Sequence, residues 1–412
     1  MNLASMRMKI KLGKSDAVEW WYVALFLMFF PSFVKRAIDI PYWGVVSYGT
    51  VLVNDIYIVL TRRKITLPTV MTAVLYGYFL LTTVIFNTGE IFNCMLRTYL
   101  AISFVLTLEY IFEKYNVKKS THILLESMEF FHYINLLSMI LYPAGMYKVV
   151  TDGIYEEIVK VEAGAVRTGQ RVLWLLGHQS MMIRFTLPAI CIALLYIYLN
   201  GGKIRGNLRS ILLIIVCIAE TLIANSAGNY LILVIFALLL ILFHFKARIK
   251  PWMIYPIIAA VYVFLLTSSS ELNLLSFLSD LMNRKVKIST RVPIWRNTLT
   301  AWMKKPIFGW GYINEKSTTI REMLSLGNPH SSYLWSLFEG GVIGLALLIC
   351  YLQKFAQRIR GCWNNKCARI IYAAFLCTMV AMIDDDYIFR FPQMLLIFVL
   401  VYHIPSFAKA NE

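Results

Sequence analysis

The sequence predicts an all-α, polytopic membrane protein of about twelve transmembrane helices, with one large loop between the ninth and tenth. Three observations predict it. Of 412 residues, 59% are hydrophobic and only 15% charged, where a soluble chain would carry roughly a quarter. Mean hydropathy is +0.64, and apolar runs of about 20 residues recur from one end of the chain to the other. Lysine and arginine gather in short clusters between those runs.

The net charge of +17 raises the question of nucleic acid, but the basic residues sit in short inter-helix segments. There they set topology and meet anionic headgroups, and no separate basic domain exists to grip a polynucleotide. Seven scattered cysteines, four of them inside apolar runs, indicate neither a disulfide framework nor a metal site.

Arg7, Lys9, Lys11 and Lys14 precede the first run, 18–34, and place the N-terminus on the cytoplasmic side. With no small-residue cleavage site after it, this start reads as a signal anchor. Further runs fall at 43–60, 67–86, 95–112, 123–146, 181–199, 211–223 and 230–243. The remaining ones are 252–267, 333–355, 370–388 and 394–404. Basic clusters at 61–64, 113–119, 201–209, 244–250 and 353–369 all fall on the inner side, and the C-terminus ends there too. The whole chain, 1–412, reads as a single integral membrane domain, and 268–332 as its large extracytoplasmic loop. That loop is basic, but long loops escape the positive-inside rule.

The stretch from Ser289 to Leu345 is where polar chemistry concentrates. Pro293 suits the first turn of a helix, and Trp295, Leu299 and Trp302 follow at i, i+4 and i+7. This spacing predicts an amphipathic helix in the membrane interface, tryptophans at headgroup depth and Arg291 aimed at lipid phosphates. Pro306 ends it, and Gly309 and Gly311 allow tight turns. His330 lies where the loop re-enters the membrane, beside a helix start that Ser331 or Ser332 can cap. A histidine there can take a proton from a hydroxyl. Glu339, two turns into the tenth run, is expected to face the bundle interior, with Gly341 and Gly344 permitting close packing. Asp384, Asp385 and Asp386 are expected to form a solvated helix end, with sugar hydroxyls as a second use. Asp55 and Glu220 read as interhelical hydrogen-bonding groups or as markers of an ion path.

At this point the residues resemble the O-antigen ligase/polymerase family. Ser289, Thr290 and Arg291 with Ile294 and Trp295, then Pro306, Gly309 and Gly311, look like the first half of its signature. His330, Leu334, Glu339, Gly341, Gly344 and Leu345 fit the second half. Ser331 stands where the family usually has Asn, and the hairpin Asn225-Ser226-Ala227-Gly228 lacks the arginine often found there. Arg171 resembles an arginine of the family ahead of the sixth span, and Arg184 can substitute for the missing guanidinium.

The resemblance implies a GT-C-like, inverting, metal-independent membrane glycosyltransferase with no cofactor. Its donor would be a polyprenyl-diphosphate-linked glycan at the outer face of a bacterial inner (plasma) membrane. His330 would be the base and Arg291 the diphosphate ligand, with Arg171, Arg184, Arg296, Trp295 and Glu339 around the substrates. Polymerisation of repeat units into O-antigen, capsule or exopolysaccharide is the leading expectation, with a flippase and a chain-length regulator as partners. A ligase moving a finished glycan is the alternative. A flippase or transporter without covalent chemistry is the rival, and the large outer loop counts against it.

Overall fold

The computed structural model describes residues 17–37, 41–62, 65–143, 147–148, 172–203, 206–267, 291–312, 314, 322–324, 329–386 and 392–410. The protein is an α-helical bundle. In chain order the helices are α1 (Ala17–Phe29), α2 (Pro31–Ala37), α3 (Trp43–Thr61), α4 (Leu67–Phe86), α5 (Ile91–Lys114) and α6 (Val117–Leu141). A small antiparallel sheet follows: β1 (Tyr147–Lys148), β2 (Val172–Trp174) and β3 (Gly177–His178). Then come α7 (Ile183–Leu199), α8 (Leu208–Ala224), α9 (Ala227–His244), α10 (Ile254–Thr267) and α11 (Arg291–Trp302). The chain closes with α12 (Ser332–Ala356), α13 (Lys366–Ala381), α14 (Leu395–Tyr402) and α15 (Ile404–Lys409).

Among the described residues, six helical segments are long and apolar enough to cross a membrane, and further shorter apolar helices accompany them. This is a multi-pass membrane protein. The exposed hydrophobic side chains form its lipid-facing surface: Leu52, Val53, Ile56, Val59 and Leu60 on α3 and Leu231, Val234, Leu238 and Ile241 on α9 are all exposed.

Several runs end earlier or divide differently from the sequence reading. The first breaks at Phe30, the residue before Pro31, where helical backbone is disfavoured. The eleventh stops at Ala381, and the chain turns through Met382–Asp386 instead of continuing to 388. The last divides into α14 and α15 at His403. Every residue from Leu395 to Val401 is buried, so α14, apolar all round, is central to the core.

Short connections make successive helices antiparallel, so one end of the bundle gathers the starts of α5, α7, α9 and α12 and the ends of α4, α8, α10 and α13. The sheet lies at this end, tied to the end of α6 where Trp174 Nε1 donates to the Tyr142 carbonyl at 3.0 Å. The basic clusters flank the opposite end.

Candidate active site

The first turn of α12 is fastened to the turn after α13. Ser331 is the helix cap, its hydroxyl accepting from Leu334 N–H at 3.3 Å and meeting the Tyr262 hydroxyl of α10. Ser332 donates its N–H to the carbonyls of Met382 (2.9 Å) and Asp385 (3.0 Å), and its hydroxyl to Asp385 again (2.9 Å). Tyr333 reaches the Met379 carbonyl at 2.9 Å. His330, immediately before the cap, is half-buried and held at φ 45°, in the left-handed region that few non-glycine residues adopt. Such a backbone persists only where its surroundings over-determine it, as the bonds on both sides do here.

Three aspartates of that same turn hold two arginines from distant parts of the chain. Arg184, second in α7 and only 1% exposed, lies 2.6 Å from Asp385 and 2.9 Å from Asp386. Arg291, first in α11, pairs with the Asp384 carboxylate and also donates to its carbonyl. Burial, the largest single influence, pushes the Asp385 carboxyl up, but Arg184, Asp386, His330 and Arg291 together outweigh it. The net effect holds Asp385 well below the usual carboxylate range. Asp386 goes the other way, raised by burial and by the adjacent Asp385. The α8–α9 hairpin closes the group from another side: a Cβ added to Gly228 would sit 3.4 Å from Asp384 Oδ2.

The reading of 384–386 as a solvated helix end is therefore corrected. Asp384 is exposed, but Asp385 and Asp386 are buried as counter-ions to Arg184. A buried Asp385 charge with a second carboxyl beside it needs such a partner, and only the tertiary fold supplies it.

The two halves of the glycine-bearing pattern meet as backbone. Gly341 (φ 63°, ψ −161°) breaks α12, which frees the hydrogen-bonding groups on either side of it. Residues 306–311 replace the lost bonds: Trp310 and Gly311 donate to the carbonyls of Phe338 and Glu339, both at 2.9 Å. Val342 donates back to Pro306 O at 2.9 Å, and Tyr78 of α4 serves the Gly340 carbonyl at 2.9 Å. A broken helix within a bilayer needs just such replacement. The approach is so close that a Cβ on Gly309 would lie 2.5 Å from the backbone of Phe338 and Glu339. Gly344 is pressed against Ser336 and Phe79.

Glu339 is fully buried and held by Arg97 of α5 through two bonds, 3.0 and 2.7 Å. The same guanidinium lies 4.6 Å over the Tyr312 ring, and Tyr312 is tied to α4 through Thr83 and Asn87, each at 2.9 Å. Sequence reading overlooked Arg97. A lone arginine seven residues into an apolar helix was the available signal, since an intramembrane charge demands a partner.

Two expectations for α11 change. Trp295 does not face headgroups: it is 2% exposed, packs against Tyr262, Leu334 and Leu337, and donates to the Pro329 carbonyl at 2.9 Å. Its indole braces the approach to His330. Arg291 is engaged by Asp384 rather than by lipid. The apolar face of α11 meets α12 and α10 because their side chains offer more contact than headgroups do. Arg296 is exposed and donates to the Leu266 carbonyl at the end of α10 at 2.8 Å. It thus stands apart from the aspartate turn. Arg171 lies outside the described residues.

Of the other intramembrane polar groups, Asp55 accepts from Ser103 at 2.5 Å and Asn54 donates to Thr107 at 3.0 Å, joining α3 to α5. Glu220 accepts from Asn135 at 2.8 Å and meets His132. Among the described residues, two groups could hold a metal ion by proximity, His132 with Cys217 and Glu220, and Glu19 with His122 and Glu126. Neither shares a residue with the aspartate turn.

Residues 210–349, which hold Arg291, His330, Glu339 and all four pattern glycines, match the O-antigen ligase family. That likeness is carried by a 140-residue segment of the 412-residue chain. A curated Rickettsia conorii protein, named as a candidate polysaccharide ligase, is 29% identical over 97 residues. The alignment takes in 21% of this chain and 24% of that protein, so the chain spans about a quarter of the relative it matches. The match and the relative's name support membrane glycan processing of the O-antigen ligase type. Arg184 and Arg97 both fall before the matched region, so the domain is completed by helices outside it.

Proposed function

We propose that this protein is an inverting membrane glycosyltransferase that polymerises polyprenyl-diphosphate-linked repeat units into a surface polysaccharide. The observation that carries this is the convergence of His330, Arg291 and Arg184 on the single turn Asp384–Asp386. A hydroxyl acceptor, a diphosphate leaving group and a water-poor pocket need a proton acceptor, cationic forks and counter-charges in one place.

In the proposed step the acceptor sugar oxygen attacks the anomeric carbon of the donor. The new C–O bond forms as the bond to the diphosphate breaks, and that electron pair leaves on the diphosphate oxygen. The hydroxyl proton passes to the His330 imidazole, with Asp385 close by to stabilise the resulting cation. Arg291 meets the diphosphate after exchanging Asp384 for it, and direct displacement inverts the anomeric centre. Arg171 and Arg296 extend the donor site in this reading, and no metal or cofactor takes part in the step. The step takes place at the outer face of a bacterial inner membrane, both termini lie in the cytoplasm, and a flippase and a chain-length regulator are the expected partners.

A ligase reading is favoured by one specific observation: the matched family and the Rickettsia relative are both described as ligases. Purified full-length protein incubated with a polyprenyl-diphosphate oligosaccharide separates the two. Chain growth on the donor alone supports polymerisation, and transfer only to an added second acceptor supports ligation. Absence of either product with a competent donor overturns glycosyl transfer.

A further inference from the structure

At the end of the bundle opposite His330, a cleft of about 120 Å³ opens between α7, α9 and α13. Leu194, Leu240, Phe243 and Ile370 form its apolar wall, and Tyr198, His244, Lys366 and Arg369 form its rim. Among the described residues lining it there is no carboxylate. The Lys366 ammonium lies 5.5 Å over the Tyr198 ring. Arg369 donates one N–H to the Phe243 carbonyl at 2.5 Å, which fixes the guanidinium against the end of α9 and uses one of its five donors.

Sequence and fold agree on the sign of this cleft. Its basic lining comes from the end of α9, at His244, and from the start of α13, at Lys366 and Arg369. The start of α13, capped by Asn365 on Ala368 N–H at 3.2 Å, adds the positive end of a helix dipole. At the end of α9, Arg369 covers a carbonyl that would otherwise repel an anion. The result is a cationic rim over an apolar wall, at the depth where a membrane-spanning bundle meets headgroups.

We infer that this cleft binds one anionic phospholipid of the inner leaflet. Its phosphate would sit among Lys366, Arg369 and His244, and its acyl chain would run along Leu194, Leu240 and Ile370. Charge complementarity selects the occupant: a zwitterionic headgroup would bring its own cation into a rim that already holds Lys366 and Arg369. The site is separate from glycosyl transfer and does not depend on that activity.

The test is native mass spectrometry of the full-length protein released from nanodiscs of phosphatidylglycerol, cardiolipin or phosphatidylcholine. One retained anionic lipid per chain, with phosphatidylcholine lost, is expected. Lys366→Gln combined with His244→Gln should lower that retention by about tenfold while leaving the melting temperature unchanged. Arg369→Gln is kept as a second variant, because it also removes the bond to Phe243. Equal retention of phosphatidylcholine overturns the proposal, as does unchanged retention in the folded double variant. Displacement of the lipid by millimolar inorganic phosphate alone would identify a free-anion site instead and overturn it as well.

Discussion

Gly341 and Ile307 touch through their backbones: a Cβ on Gly341 would lie 2.1 Å from the Ile307 carbonyl oxygen. The two residues belong to opposite halves of the family pattern, so the spacing of its glycines records a backbone contact.

Gly341→Ala should therefore fail on two counts, a collision and a backbone angle that essentially only glycine adopts. Strain alone costs about 1–3 kcal/mol, and the collision adds to it. A large drop in melting temperature in detergent is expected. Gly361→Ala is the control: φ is also positive, at 80°, but nothing lies within 4 Å, so about 1 kcal/mol is expected. Equal melting temperatures for the two variants would contradict the contact.

Arg97 and Glu339 form a buried pair, and removing one partner takes that counter-charge from the other. Arg97→Ala should cost about 3–5 kcal/mol, while Arg97→Met with Glu339→Met should recover most of it. Thermal melts of the two variants check this. A single substitution as mild as the double one would mean that Glu339 has another partner.

His330→Ala should lower turnover by about 10²- to 10⁴-fold with an unchanged melting curve. The readout is polymer or ligated product from a lipid-linked donor. Wild-type product from a folded variant would remove His330 as the base.

Arg291→Lys keeps the charge and loses the planar fork. Reduced kcat/KM for the diphosphate-linked donor is expected, because a point charge cannot replace a bidentate contact. Asp384→Asn should tighten donor binding by releasing Arg291 from its carboxylate. Unaltered kinetics in both would place the diphosphate elsewhere.

The Asp385 carboxyl is depressed in the folded state, chiefly by Arg184 acting against burial. Its contribution to stability is thus fully present above the unfolded value of about 3.9 and is lost as pH falls through the lower folded value. Melting temperature should not vary with this group between about pH 7 and pH 5. In Asp385→Asn the further loss below about pH 4 should flatten. An Asp385-dependent fall near neutral pH would reverse the sign.

Much of the architecture was legible because hydropathy is local. A run of apolar residues with a basic cluster after it states its own solvent, and α3 to α10 fall close to where those runs are. Ser331 as a cap and Glu339 as an inward-facing charge were likewise readable, since capping and burial of a charge depend on near neighbours and on depth. The family pattern brought Arg291, His330 and the glycines onto one line of sequence.

Which distant groups meet is settled in the fold alone. Asp384–Asp386 looked like a solvated helix end because nothing nearby in sequence could neutralise them. Arg184, 201 positions before Asp385, and Arg291 do so in the fold. Trp295 looked like an interfacial anchor because periodicity gives a face without saying what covers it, and α12 covers it. Arg97 was silent for the same reason: its meaning lies in Glu339, 242 residues away. Local sequence specifies the membrane setting, the helices and the residue types available for chemistry. The pairing of charges was left to the fold, because a buried ion is stabilised by contact in space and contact in space has no local signature.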